Sequence, residues 1–81
     1  MARVLLFGRL ADIAGWREKL IEPAPERLSA LKALIGAGDA LLAEALAGPG
    51  VQAAVDRVLV RGDAVLAAGA EVAFMPPMSG G

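Results

Sequence analysis

The sequence predicts an α+β fold, in which a mixed sheet of four to five strands carries helices on one face. Three observations support this prediction. Short apolar runs lie near both ends of the chain, at 3–7 and 71–75. A stretch with helical spacing of leucines, 28–35, lies between them. Proline and glycine clusters separate these segments and mark the turns.

The first two strands are expected close to the N-terminus. Residues 3–7 are short, largely apolar and β-branched at one position, which is typical of a buried strand. Residues 8–15 are expected to form a connecting loop. Residues 16–22 then form a second strand, paired with the first as a hairpin. Pro23 and Pro25 end it, because proline has no N–H to donate to a neighbouring strand.

A first helix is predicted to start near Pro25, with Glu26 at its positive end. Arg27 stands where a threonine would cap well, so we expect a frayed start. Gly36 and Gly38 are expected to end the helix. Its core face consists of four apolar residues at helical spacing, Leu28, Leu31, Leu34 and Ile35.

A second, shorter helix is predicted after Asp39, which is a good N-cap residue. Leu42 and Leu46 form its buried stripe, and the Gly-Pro-Gly sequence at 48–50 ends it.

Three further strands are expected at 51–55, 58–60 and 71–75. The Arg-Gly-Asp tripeptide at 61–63 is interpreted as a turn. Pairing the first strand with the last in the centre of the sheet would bury both apolar runs. That arrangement is the ubiquitin-like β-grasp. It gives a domain over 1–76 and a flexible C-terminal tail over 77–81 that points away from the sheet.

Composition excludes several classes of function. The net charge is −1, so no electrostatic feature favours nucleic acid or an anionic membrane. No apolar run is long enough to cross a bilayer, and no signal-peptide pattern is present, so we expect a cytoplasmic protein. The chain has no Cys and no His, which removes the commonest nucleophiles, general bases and metal ligands. We therefore expect no bound cofactor, no metal site and no catalysis by this chain alone.

The Gly80–Gly81 ending predicts chemistry at the terminal carboxylate. Residues without side chains pass through a narrow channel, so the carboxylate of Gly81 is open to a partner's active site. Once activated as an acyl-adenylate, it would react with sulfur or with an amine. Ser79 has no activating base and is expected to contact a partner only. The alternative is an ordinary frayed terminus.

The chain resembles the sulfur-carrier small subunit of molybdopterin synthase. Four segments carry this resemblance, in the expected order along almost the whole chain: 4–8, the loop ending at Gly15, 53–56 and 71–81. The last of these segments is the most specific. The resemblance implies that a ubiquitin-activating-type adenylyltransferase uses ATP to adenylate Gly81, and that sulfur transfer converts it to a thiocarboxylate. The loaded tail would then enter the large synthase subunit, in a heterotetramer, and donate sulfur to cyclic pyranopterin monophosphate.

Gly80 and Ser79 are then expected to pass through the partner's channel when the tail is threaded into it. The strip that faces the partner is expected to comprise Met75, Pro76, Pro77 and Met78. For Phe7 two placements stay open, one in the core and one at the interface with the partner. Three other functions stay open: the related carrier for thiazole synthesis, a protein modifier of the ubiquitin type, and a β-grasp interaction module with an idle tail.

The chain departs from the family pattern in three places. The family often has an Arg-Glu pair where this chain has Ala11–Asp12, an Asn where Asp56 stands, and a Phe where Met75 stands. The first departure puts one polar contact with the partner in doubt. Met75 keeps an apolar, adaptable surface, so docking is expected to persist.

Overall fold

The computed structural model describes residues 1–77, and it has five strands and three helices. In chain order these are β1 (Ala2–Leu6), α1 (Gly8–Ala14), β2 (Glu18–Ile21), α2 (Leu28–Gly36), α3 (Ala40–Leu46), β3 (Gln52–Val55), β4 (Val58–Val60) and β5 (Glu71–Met75). The strand order in the sheet is β2-β1-β5-β3-β4. Strands β1 and β5 are parallel, and the other neighbouring pairs are antiparallel. The predicted ubiquitin-like β-grasp is therefore confirmed.

The core lies between the sheet and the helices. Val4, Leu6, Val72 and Phe74 point from the two central strands into it, and each is almost fully buried. Leu31 of α2, together with Leu42 and Leu46 of α3, packs onto them from the helical side. This alternation of buried and exposed residues leaves the opposite side of the sheet uncovered.

The prediction of a loop over residues 8–15 is wrong, because α1 occupies Gly8–Ala14. Its apolar residues follow helical spacing. Leu10 and Ala11 are buried, and Ile13 and Ala14 pack against the core. Gly15, with a φ of 82°, ends the helix in the left-handed conformation. The glycines at both ends suggested a loop, although one of them is a helix C-cap.

The helices that were predicted are present, with two differences. Helix α2 begins at Leu28 rather than near Pro25. Leu34 is 47% exposed and does not belong to the core face, whereas Leu28 and Leu31 are buried and Ile35 packs against the core. Asp39 caps α3 as predicted, because its Oδ1 accepts a hydrogen bond of 3.1 Å from the Leu42 N–H.

The segment between β4 and β5 covers the start of α2. The Leu28 N–H donates to the Ala64 carbonyl, and the Leu66 N–H donates to the Glu26 carbonyl, both at 2.8 Å. Leu66 and Ala70 are buried core residues that the sequence analysis did not identify. Trp16 packs against the core, and the Lys19 ammonium lies 4.7 Å from its ring centroid. None of the helices in residues 1–77 is long and apolar enough for a transmembrane span.

Candidate functional site

The candidate site begins where β5 ends. Phe74 is fully buried, and Met75, which is half-buried, pairs with Gln52 of β3. Pro76 and Pro77 follow, and neither has an N–H to extend the ladder, so the chain leaves the sheet here. Pro76 is half-buried and Pro77 is exposed. The central strand of the domain therefore leads directly to the last residues of the chain.

Phe7 lies beside Met75. Leu6 pairs with Phe74 in the parallel ladder, and the Phe7 N–H donates to the Phe74 carbonyl at 3.2 Å. Phe7 continues β1 with an extended backbone, and its side chain is 48% exposed. Phe7 is therefore a surface residue at the tail exit. A role of Phe7 and Met75 in partner binding stays a prediction.

The uncovered side of the sheet, which we call the open sheet face, consists of Arg3, Leu5, Phe7, Glu18, Leu20, Gln52, Ala54, Leu59, Glu71, Ala73 and Met75. One cross-strand row on this face is almost entirely apolar and runs through Leu5, Ala73, Ala54 and Leu59. Leu59 is 61% exposed. An apolar row next to the tail exit is the feature of this face best suited to binding another protein.

The charged residues of the open sheet face gather at the end far from the tail. Arg3 Nε donates to Glu18 Oε2 at 2.7 Å, and Arg3 Nη1 lies 3.5 Å from Glu71 Oε2. The hydrogen bond that Arg3 donates to the Glu18 carboxylate raises the pKa of the Arg3 guanidinium. These pairs are solvent-exposed and add little stability. They do, however, give the face a polar end and an apolar end.

Leu20 and Leu59 are apolar surface residues that the sequence analysis did not single out. Both alternate with residues that point toward the helices, as the pairings of Ala2 with Ile21 and of Ala53 with Val60 show. The sequence signal that could have identified these two surface residues is the two-residue periodicity within β2 and β4. Short strands of three or four residues give that signal too little length to stand out.

A groove lies on the helical side of the tail exit. It has a volume of about 600 Å³ and is lined mainly by apolar residues of α1, α3 and the loop before β3, with Pro76 and Pro77 forming part of its wall. Leu41, which also lines it, is exposed. The two prolines thus lie between this groove and the open sheet face.

The fold partly explains why Ala11–Asp12 stands where the family often has an Arg-Glu pair. Ala11 is buried in the core and presents little surface to a partner. Asp12 is exposed and lines a shallow opening beside Phe7, together with Arg17 and Glu18. A polar contact with a partner is available here from Asp12 and Arg17.

The described residues offer little chemistry of their own. The chain has no Cys or His, and residues 1–77 contain no group of three or more acidic side chains arranged to hold a metal ion. The predicted site residues Met78, Ser79, Gly80 and Gly81 lie outside the described part of the chain. The described part provides a folded domain whose strand β5 leads to the tail, and an apolar face beside it.

The ThiS family model matches residues 4–81. The chain belongs to the ThiS family. The match covers the β-grasp domain and also the tail. This finding, together with the fold, supports a ubiquitin-like sulfur carrier or protein modifier as the general function of this ThiS-family chain.

Solved structures agree with this assignment. Small archaeal modifier protein 1 from Haloferax volcanii is 28% identical, covers 99% of this chain and 98% of its own, and has a TM-score of 0.76. A putative molybdopterin converting factor, subunit 1, from Pyrococcus furiosus is also 28% identical, with coverages of 95% and 97% and a TM-score of 0.79. The modifier protein of Methanosarcina acetivorans, at 19% identity, coverages of 99% and 95% and a TM-score of 0.86, shows the shared fold. No curated protein matches the sequence significantly.

Proposed function

We propose that this ThiS-family chain carries sulfur as a thiocarboxylate on Gly81 and donates it to cyclic pyranopterin monophosphate in molybdopterin synthesis. The observation that carries the proposal is the family match, which runs through Gly81 on a fold whose central strand leads to the tail. Support for the molybdopterin pathway comes from the similarity to the converting-factor subunit of Pyrococcus furiosus.

The proposed chemistry has two steps at the terminal carboxyl group of Gly81, the first at its oxygen and the second at its carbon. A carboxylate oxygen of Gly81 attacks the α-phosphorus of ATP, the bond to the β-phosphate bridge breaks, and pyrophosphate leaves. A donor at the oxidation level of sulfide then attacks the acyl carbon. The C–S bond forms, the C–O bond to AMP breaks, and AMP takes the electron pair. No oxidant is needed, and the product is a thiocarboxylate, whose sulfur is a better nucleophile than a carboxylate oxygen.

This chain supplies the reacting terminus and the docking surface, and its partners supply the nucleotide site. We take residues 77–81 as the tail, with Ser79 and Gly80 threading the partner's channel and Met78 contacting its entrance. The open sheet face would dock the adenylyltransferase and the large synthase subunit in turn, because both must approach the same tail.

The test is the intact mass of the protein after incubation with the host's activating enzyme, ATP and sulfide. We expect an oxygen-to-sulfur mass increase that fragmentation places on Gly81. A variant lacking Gly81 should show no mass change while keeping the unfolding midpoint of the wild type. If the truncated chain still transfers sulfur to the pterin precursor, the proposal is wrong.

A protein modifier is the second candidate, because the Haloferax volcanii modifier protein matches this chain at the same identity as the converting factor. In that case a lysine amine would attack the acyl-adenylate and form an isopeptide bond. Peptide mapping of conjugates from host cells separates the two functions. Links from Gly81 to many proteins favour the modifier, and sulfur transfer to the pterin precursor favours the carrier. Transfer to a thiazole precursor instead would identify the thiazole carrier.

A further inference from the structure

Two glycines contact the two prolines at the tail exit. Gly8 starts α1 with a φ of +53°, and Gly50 lies just before β3 with a φ of +83°. Pro76 lies against Gly8, and Pro77 lies against Gly50. The start of α1 and the loop after α3 therefore contact the chain just beyond the end of β5.

The space at Gly50 is too small for a side chain, and the space at Gly8 is tight. A Cβ on Gly8 would lie 3.1 Å from Pro76 Cγ, and a Cβ on Gly50 would lie 2.8 Å from Pro77 Cβ and 3.7 Å from its Cα. Carbon atoms in contact prefer about 3.5–4.0 Å. Because the Pro77 Cβ belongs to a rigid ring joined to the backbone, the clash at Gly50 can be relieved only by moving the backbone of Pro77 or of the loop.

A positive φ alone does not distinguish these glycines. Gly62 and Gly69 have φ values of +71° and +75°, yet an added Cβ at either would meet no atom within 4 Å. At Gly62 and Gly69 glycine is favoured only because the backbone has a positive φ. At Gly8 and Gly50 glycine also makes room for a proline that leads to the tail.

We propose that Gly8 and Gly50 are positioning residues that set the direction in which the tail leaves the domain. Pro76 and Pro77 have fixed φ angles, and Pro77 further restricts the residue before it. Once both rings are seated against the glycines, the path of the main chain at 76–77 is determined. The inference rests on the proposed function, because a defined exit matters when a carboxylate four residues beyond Pro77 must reach an enzyme's active site.

The test compares Gly50→Ala with Gly62→Ala. Both variants place a side chain at a left-handed position, so both should lose stability. The loss should be larger for Gly50→Ala, because only its new Cβ would meet an atom within 4 Å. Only Gly50→Ala should disturb the tail exit. In NMR spectra, the cross-peak between Gly50 Hα and Pro77 Hβ should be present in the wild type and in Gly62→Ala. The corresponding cross-peak to Pro77 should be lost in Gly50→Ala.

The functional measurement is the rate of adenylation by the activating enzyme. We expect Gly50→Ala to lower kcat roughly tenfold or more, because small displacements of a reacting group are costly. The KM for the carrier should stay near the wild-type value, since the open sheet face is unchanged. Gly62→Ala should leave both constants near wild type. In a Pro77→Gly background, where the clashing Cβ is gone, Gly50→Ala should cause little further loss.

Equal kcat values for Gly50→Ala and Gly62→Ala, with the Pro77 contact intact in both, would overturn the inference. A wild-type protein that the enzyme does not adenylate would instead refute the proposed function. The NMR comparison then decides by itself whether Gly50 seats Pro77.

Discussion

At the scale of single residues, Asp63 shows how a distant side chain replaces a missing local one. Arg27 provides no side-chain cap for α2. Asp63 Oδ1 accepts from the Ser29 N–H at 2.8 Å, and Asp63 Oδ2 accepts from the Ser29 hydroxyl at 2.9 Å. The expected fraying is therefore opposed by a cap from 34 residues away. The aspartate of the Arg-Gly-Asp tripeptide therefore has a structural role as a helix cap.

The cap predicts a pH dependence of stability. Hydrogen bonds from Ser29, and then from Ala64, lower the pKa of Asp63. Because the folded pKa lies below the unfolded one, the unfolded chain binds more protons as the pH falls between the two values. The contribution of Asp63 is complete above an unfolded pKa of about 3.9 and disappears below the folded pKa.

Thermal unfolding of Asp63→Ala should therefore start at a lower temperature than that of the wild type at neutral pH, and the difference should vanish in strong acid. Asp63→Asn, which keeps one acceptor oxygen, should be intermediate. A difference between wild type and Asp63→Ala that is constant with pH would contradict this assignment.

Asp56 is another residue that differs from the family pattern, which often has Asn at this position. Its φ is 49°, and its Oδ1 accepts from the Glu71 N–H at 2.9 Å, while its own N–H donates to the Glu71 carbonyl at 2.8 Å. Asp and Asn both tolerate the left-handed region, and both offer a side-chain oxygen. The turn is therefore preserved with Asp in place of Asn, and β3 remains connected to the start of β5.

At the scale of elements, the β3–β4 turn contains a strained residue. Asp56 and Arg57 both have positive φ, at 49° and 70°, as a two-residue type I′ hairpin requires. Glycine is preferred at the second position. Arg57 adopts it against its own preference, and its ion pair with Glu71 is long, at 4.0 Å, and exposed.

Arg57→Gly should therefore stabilise the protein, by about 0.5–1 kcal/mol, because the left-handed strain of a side chain is removed. Urea unfolding measures this change. Arg57→Ala serves as the control, since it removes the same ion pair but keeps a Cβ. It should not stabilise the protein.

Helices α2 and α3 depend on one glycine for their close approach. Gly36, the last residue of α2, is buried, and a Cβ there would lie 2.9 Å from Ala43 Cβ and 3.1 Å from Ala43 Cα. Gly38 lies in the connection between the two helices, and a Cβ there would meet nothing within 4 Å. The two glycines thus have different roles, although both were interpreted as helix breakers.

Gly36→Ala should destabilise the protein by about 1–3 kcal/mol, as overpacking usually does, and this loss should exceed the gain of about 1 kcal/mol in helix propensity. Gly38→Ala should have little effect. Chemical denaturation of both variants provides the comparison, and equal stabilities would show that α2 and α3 can separate at no cost.

At the scale of the whole molecule, the sheet divides the protein into two functional sides. The helical side buries the core, and the open sheet face presents an apolar row beside the tail exit. Leu59 is the most exposed residue of that row, and Phe7 and Met75 lie at the tail end of the same face. A partner that encloses the tail must pass this surface.

Leu59→Glu should therefore weaken binding to the activating enzyme by about tenfold or more, as expected for a charge placed in an apolar interface. Val65→Glu is the matched control, because Val65 is similarly exposed but pairs with Arg27 instead of belonging to the open sheet face. Calorimetry measures both affinities. Equal affinities for the two variants would exclude this face as the docking surface, and circular dichroism verifies that both remain folded.

The sequence alone determined the class of fold, the apolar character of strands β1 and β5, the cap at Asp39 and the Gly-Gly ending. Each of these depends on local pattern or on residue type, which a sequence contains directly. The tertiary structure decided the helical state of residues 8–14, the cap at Asp63, the exposure of Leu34 and Leu59, and the seating of Pro77 on Gly50. These features arise from contacts between segments far apart in the chain, and such contacts exist only after the sheet has formed.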